Sequence, residues 1–370
     1  MKYFFFILVF ILWLGLVAYT FVRGSQALAT VPTAKWLYLS VMTISFLSFF
    51  VGFFLNEYFS PTLGKIISFI GYSFLIITIY LFLSFLLIDL VRVANHFFRF
   101  IPDMGKFRML ATVITLGVIA IALIFGNIKF NNPQVVHLDI QSSKPRQGKE
   151  VKIVGISDVH LGTSIDKQRL KNYVELINQQ EPDLVMIAGD LIDRSLKPVI
   201  AQRMDEELRQ INAPFGVFAV EGNHEHFGEG VKAVSDFFKQ SNITLLQDSA
   251  VLINDEFYIV GRKDFIVHDR LSICEIIQET DNTKPYILLD HQPYNLSEAQ
   301  ENNIDFHFSG HTHNGQFFPI SLIIKLMFEQ AYGHLQKGNT HYYLSSGLGL
   351  WGPQFRIGSQ SEVVVIRFRY

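Results

Sequence analysis

Residues 151–162 read Val-Lys-Ile-Val-Gly-Ile-Ser-Asp-Val-His-Leu-Gly. The apolar, β-branched first half predicts a buried strand at 152–157. Asp158 and His160 follow it at once. The same grammar returns four times. An apolar run at 184–188 ends in Gly189-Asp190, and one at 217–220 leads into Gly222-Asn223-His224-Glu225. A run at 286–289 precedes His291, and one at 304–309 precedes Gly310-His311-Thr312-His313. Helical periodicity at 167–180, 199–211 and 231–239 separates the first runs. Further strands are expected at 135–140, 342–346 and 363–368, with an antiparallel pair at 250–253 and 257–261 across Asn254-Asp255. Alternating strands and helices predict an α/β domain. In such domains the carboxyl ends of strands form the ligand-binding edge. Five segments therefore deliver Asp, His and Asn to one rim.

Carboxylate, imidazole and amide oxygen suit divalent manganese, iron or zinc. Two ions about 3.5–4 Å apart need a shared ligand, which a carboxylate supplies. Such a pair binds phosphoryl oxygens and lowers the pKa of bound water. Gly189, Gly222 and Gly310 are expected to allow tight turns before the ligands. A lone Asp-x-His or a single histidine carries little information. Five such groups in this order, each at a strand end, leave little room for coincidence.

The ordered set Asp158-x-His160, Gly189-Asp190, Gly222-Asn223-His224-Glu225, His291 and Gly310-His311-x-His313 resembles the calcineurin-like metallophosphoesterase superfamily over about 151–368. The resemblance implies a four-layer α/β/β/α sandwich. It implies that Asp158, His160 and His313 hold one metal, that Asn223, His291 and His311 hold the other, and that Asp190 bridges them. It also implies that His224 lies near the leaving oxygen and donates a proton. The ending is Gly310-His311-Thr312-His313-Asn314-Gly315-Gln316, then Ser346-Gly347-Leu348-Gly349, Arg356 and Glu362. It is similar to membrane-anchored bacterial phosphoesterases of the YkuE/YaeI type. Asn314 stands where that type usually has glycine and is expected to alter the loop, leaving the ligands intact.

Other residues are weighed against plainer roles. Asp193 is a candidate to orient His224 or a metal-bound water from behind, or else a helix N-terminal carboxylate. Arg356 is a candidate phosphate contact, because a guanidinium fork matches phosphate oxygens. Arg262 and Lys263 are weaker ones. His226 reads as a surface histidine, His307 as structural, and Cys274 as a buried apolar residue. The apolar stretch 317–328, after His313, reads as a core helix or as a flap that dips into a membrane.

Residues 1–126 differ in kind. They carry eight basic and three acidic residues, and one of the twelve histidines, His96. The other 244 residues carry a net charge of −7. The chain is 49% hydrophobic and 17% charged, with a mean hydropathy of +0.27, which excludes a disordered chain. One cysteine excludes a disulfide framework. No nucleic-acid partner is expected, since the net charge is −2. Apolar runs at 3–22, 36–55, 66–91 and 109–126 each approach the roughly 20 residues that cross a bilayer. Trp13, Trp36, Tyr38, Tyr58 and Tyr72 are candidate interface anchors. Asp89 and Arg92 are expected to pair or snorkel.

The domain plan is therefore a transmembrane module at 1–126, a linker and first strand at 127–150, and a metallophosphoesterase-like domain at 151–370. Loops 23–35 and 92–108 hold Arg23, Lys35, Arg92, Arg99, Lys106 and Arg108, against Lys2, Lys65 and Lys129 on the other side. The positive-inside rule then puts the catalytic domain outside the cytoplasm, on a multi-pass cell-membrane protein. Ala27-Leu28-Ala29 resembles a signal-peptidase site; cleavage there would reverse that orientation. The expected function is a membrane-bound dinuclear-metal phosphohydrolase that cleaves a phosphoester, lipid or lipid-linked, by attack of a metal-bridging hydroxide. The alternatives are a cytoplasm-facing pyrophosphatase of a lipid-precursor pathway and a membrane sensor or transport module with an inactive domain.

Overall fold

The computed structural model describes residues 2–55, 58–144 and 148–370; the side chains of residues 2–6 and 61 lie outside that description. The chain forms two compact units. One comprises residues 1–126 with Gly352–Gln354, the other Asn127–Trp351 with Phe355–Tyr370.

The first unit is built from α1 (Lys2–Ala27), α2 (Pro32–Phe54), α3 (Pro61–Phe98) and most of α4 (Met104–Asn131). All four are long and apolar enough to cross a membrane. Pro32 and Pro61 sit at the first helical position, where a missing N–H costs nothing. Trp13 is half-buried. It turns into the helix cluster, with its ring 6.0 Å from Phe46 and 6.4 Å from Phe74. Tyr38 is buried and donates to the Thr20 carbonyl at 2.8 Å. Asp89 pairs first with Arg23, at 2.6 Å, and accepts the Tyr19 hydroxyl at 2.7 Å; Arg92 lies 3.5 Å away.

The second unit holds two six-stranded sheets. The first contains β1 (Gln134–Gln141), β2 (Glu150–Ile156), β3 (Leu184–Ala188), β4 (Val217–Val220), β5 (Ile243–Leu245) and β12 (Glu362–Arg369), in the order β1-β12-β2-β3-β4-β5. The second contains β6 (Ser249–Ile253), β7 (Phe257–Gly261), β8 (Tyr286–Leu289), β9 (Phe306–Ser309), β10 (Gly333–Lys337) and β11 (Thr340–Leu344), in the order β10-β11-β9-β8-β7-β6. β2 through β5 run parallel, as do β7, β8, β9 and β11.

Three apolar layers make this a four-layer sandwich. Val151 and Ile153 of β2 face Ile287, Phe306 and Phe308 of the second sheet. Val154 and Ile156 point the other way, toward α5 (Lys167–Asn178) and α8 (Gly230–Gln240). On the far side of the second sheet, Tyr286 and Leu288 pack with Ile273 of α9 (Ile273–Ile277) and Leu296 of α10 (Leu296–Glu301). Such alternation is the period-two signature of strands buried on both faces.

Several expected elements differ. α4 runs to Asn131, so most of the expected polar exit is helical. Phe130 is fully buried there, under the Arg169 guanidinium at 4.4 Å. The helix expected at 199–211 splits into α6 (Lys197–Ala201) and α7 (Asp205–Leu208), because Arg203 takes a left-handed φ of 53°. β10 has no apolar alternation to predict it, because its sequence, Gly-His-Leu-Gln-Lys, is that of a polar edge strand.

Candidate metal centre

The candidate ligands leave the carboxyl ends of β2, β3, β4, β8 and β9. Backbone hydrogen bonds stitch these loops together. Asp158 N–H donates to the Gly189 carbonyl at 3.1 Å, His160 N–H to that of Asp190 at 3.0 Å, and Gly310 N–H to that of His291 at 3.0 Å. Asp158, His160, Asp190, His311 and His313 all take left-handed φ values, between 49° and 72°. That conformation is costly for residues with a Cβ and concentrates at functional sites. Gly189 needs its positive φ of 75° for the turn. Gly222 and Gly310 serve a different purpose from the expected one. A Cβ at either would collide with the carboxylate of Asp190 or Asp158, so they permit close approach.

Three clusters of donor atoms converge, each within 4.8 Å: Asp158, His160 and His313; His160, Asp190 and His224; and Asp190, His291 and His311. Asp190 Oδ1 accepts the His224 backbone N–H at 2.9 Å. Its Oδ2 lies 3.3 Å from His291 Nε2, 3.8 Å from His160 Nε2 and 4.0 Å from His224 Nε2. His313 Nε2 lies 3.2 Å from His160 Nε2 and 3.5 Å from Asp158 Oδ1, while Asn223 Oδ1 lies 3.3 Å from His291 Nε2. Donor atoms at about 2.0–2.2 Å from a common ion stand roughly 3–4.4 Å apart, so these separations fit divalent metals.

The surrounding groups support that fit. His291 Nδ1 donates to the Ala188 carbonyl at 2.8 Å, so the Nε2 lone pair faces the cluster. His224 Nδ1 donates to the Asp193 carbonyl, which likewise aims Nε2 at the rim. Asp193 Oδ1 lies 3.6 Å from the Nδ1 atoms of both His160 and His224. It stands four residues before α6 and therefore caps no helix terminus. Burial works to lower the His224 pKa, but the Asp193 hydrogen bond and the Asp190 charge override it and hold the group at about 9. Burial pushes His311 down to about 3, with the His291 charge adding to the effect. Both carboxylates at the centre are fully buried.

Other candidates fall elsewhere. Arg356 is completely buried and donates to the carbonyls of His313, Gly347 and Gly349 at 3.2, 2.8 and 2.7 Å. Its guanidinium is committed to the backbone that carries His313, so it is a brace and not an exposed phosphate clamp. Arg262 pairs with Glu298 at 2.9 Å, and Lys263 lies 3.7 Å from Asp248. His226 pairs with Glu221 at 3.3 Å. His307 accepts the Ser309 hydroxyl inside β9, and burial drops its pKa to about 3. Cys274 is exposed, contrary to expectation, because α9 turns that side of its short helix outward. Asn314 takes a left-handed backbone, φ 49° and ψ 34°, a conformation that asparagine tolerates.

Glu225, the last residue of the Gly222-Asn223-His224-Glu225 motif, has a role that the motif alone does not assign. Its buried carboxylate accepts the backbone N–H groups of Asp190, Ile192 and Gly222 at 2.9, 2.9 and 2.7 Å. It welds the Asp190 loop to the Asn223 loop. The available signal was its place directly after Asn223-His224.

Residues 151–315 match the family model for calcineurin-like phosphoesterases. The chain is 32% identical over 264 residues to a metallophosphoesterase of Campylobacter jejuni, covering 69% of each. It belongs to the calcineurin-like metallophosphoesterases. Another metallophosphoesterase, from Helicobacter pylori J99, is 34% identical over 59% of this chain, which spans only 60% of that relative's length. YkuE of Bacillus subtilis is 27% identical over 66% of this chain and 90% of its own. The calcineurin-like match ends at Gly315, just past the second histidine of Gly310-His311-Thr312-His313.

Proposed function

We propose that the chain is a membrane-bound phosphohydrolase that holds two divalent ions, manganese, iron or zinc, and cleaves an amphiphilic phosphoester. The observation that carries this reading is the Asp190 carboxylate. It belongs to one donor cluster with His160 and His224 and to another with His291 and His311, as a shared ligand must. Asp158, His160 and His313 would hold one ion, and Asn223, His291 and His311 the other. Bound there, the ions would neutralise phosphoryl oxygens and supply an activated water near neutral pH. His224 stands beside both sites with Nδ1–H fixed on the Asp193 carbonyl. It delivers its Nε2 proton to the leaving oxygen. Asp193 holds the His160 and His224 rings from behind through its carboxylate.

The rim on the His224 side is apolar. Phe227 and Trp351 are both exposed, with rings 5.2 and 6.4 Å from that of His224. This favours a substrate with a greasy portion beside its phosphate. The charge bias of the short loops supports a catalytic unit outside the cytoplasm.

The test uses the full chain in detergent, supplied in turn with manganese, iron and zinc. A phosphomonoester, a phosphodiester and a phospholipid are the substrates. Metal-dependent hydrolysis that a chelator abolishes is expected. No hydrolysis of any of the three under any metal would overturn the proposal.

A further inference from the structure

Of the two expectations for 317–328, a core helix or a flap that dips into a membrane, the core helix does not fit the burial. α11 (Ile320–Met327) leaves its apolar side chains outside. Leu322 and Ile323 are each 51% exposed and Leu326 is 89% exposed, while the one buried residue of the helix is Ser321. A helix that buries its serine and exposes its leucines is inside out for water.

This helix belongs to the metal-bearing loop. Its entry is pinned where Phe318 N–H donates to the Ile357 carbonyl at 2.7 Å and Ile357 N–H to that of Gln316 at 3.1 Å. Its exit is held by Phe328, whose ring stacks on Tyr294 at 5.2 Å and meets His311 edge-on at 6.1 Å. Tyr294 in turn contacts the exposed ring of Phe265 at 4.7 Å. An apolar path thus runs from the surface to a candidate metal ligand.

We infer that α11 is an interfacial helix that lies in the surface of the chain's own bilayer and brings an acyl-bearing phosphoester to the metal centre. The inference deepens the functional reading above and rests on it. A bilayer is favoured over a second copy because the same chain carries four helices long enough to cross one. Only residues 132–133 separate α4 from β1, so the unit is tied covalently to that membrane. Eight residues of helix rise about 12 Å, too short to span a hydrocarbon core of about 30 Å, so α11 lies on the membrane. The exposed Lys325 within the apolar face suits anionic headgroups.

The test is fluorescence quenching in vesicles of phosphatidylethanolamine and phosphatidylglycerol. Full-length protein carrying Cys274→Ser receives a single nitrobenzoxadiazole label at Leu326→Cys. Matched labels at Lys232→Cys on α8 and Leu87→Cys on α3 serve as water and membrane references. Spin-labelled lipids should quench the label at 326 strongly, more from a near-headgroup position than from mid-chain, and leave 232 unaffected. Quenching at 87 with none at 326 would overturn the inference while leaving the phosphohydrolase reading intact. Quenching at neither would remove the membrane reading itself. Self-quenching at 326 that vanishes on dilution into excess lipid would assign the face to a second copy and also overturn it.

Discussion

Glu225 Oε2 accepts the backbone N–H of Asp190 at 2.9 Å, across 35 residues of sequence. The same oxygen takes Gly222 N–H, and Oε1 takes Ile192 N–H. The carboxylate thereby holds Asp190 in its left-handed conformation, φ 52°, with Oδ2 turned to the histidines. Glu225→Gln places an amide donor against at least one of these N–H donors. The expected cost is about 1–3 kcal/mol of stability. Metal affinity or turnover should fall about 10–100-fold, as for other groups that orient a ligand. Metal titration with parallel turnover measurements checks this. An unchanged metal affinity together with an unchanged rate would show that Glu225 has no part in the site.

His224→Ala should lower turnover by about 10²–10⁴ on an alkoxide ester, the usual range for a positioned proton donor. Bound metal should change little. A nitrophenolate ester needs less help from an acid and should show a smaller defect. Equal defects on the two substrates would remove the proton-donor role.

Arg356→Lys tests whether that residue braces the fold or binds phosphate. Lysine cannot reach three carbonyls at once, and each hydrogen bond from a charged donor contributes about 1.5–3 kcal/mol. Losing even one or two should lower the melting midpoint by roughly 5–15 °C for a unit of this size. The Michaelis constant for a phosphoester should hold steady. The reverse pattern, a raised constant with unchanged melting, would return Arg356 to the substrate.

The exposed Cys274 reports orientation without engineering. A membrane-impermeant maleimide added to intact cells should label it, since the catalytic unit is proposed to face out. Labelling that requires lysis would reverse the orientation and favour the cytoplasm-facing pyrophosphatase reading.

Much of the candidate metal centre is legible because its chemistry sits in short motifs at strand ends. Asp158-x-His160 and Gly310-His311-x-His313 name their residues without any knowledge of packing. Glu225 and Arg356 act through backbone groups distant in sequence, and no local pattern announces which carbonyl or N–H a buried charge will meet. α11 was ambiguous for another reason. Its apolar composition is the same whether it faces a core or a lipid surface, and the exposure of Leu322, Ile323 and Leu326 speaks against the core. β10 and the break at Arg203 escaped because edge polarity and a single left-handed residue leave almost no trace in periodicity.

The central claim is that the Asp190 carboxylate serves two metals, and Asp190→Asn tests it most directly. Metal content of the purified wild-type chain, measured by inductively coupled plasma mass spectrometry beside phosphoester turnover, should come to two divalent ions per chain. The variant should lose affinity at both sites and turnover with it, while circular dichroism stays that of the wild type. A variant that keeps both ions and a near-normal rate, or a wild-type chain whose hydrolysis survives chelation, would contradict the account.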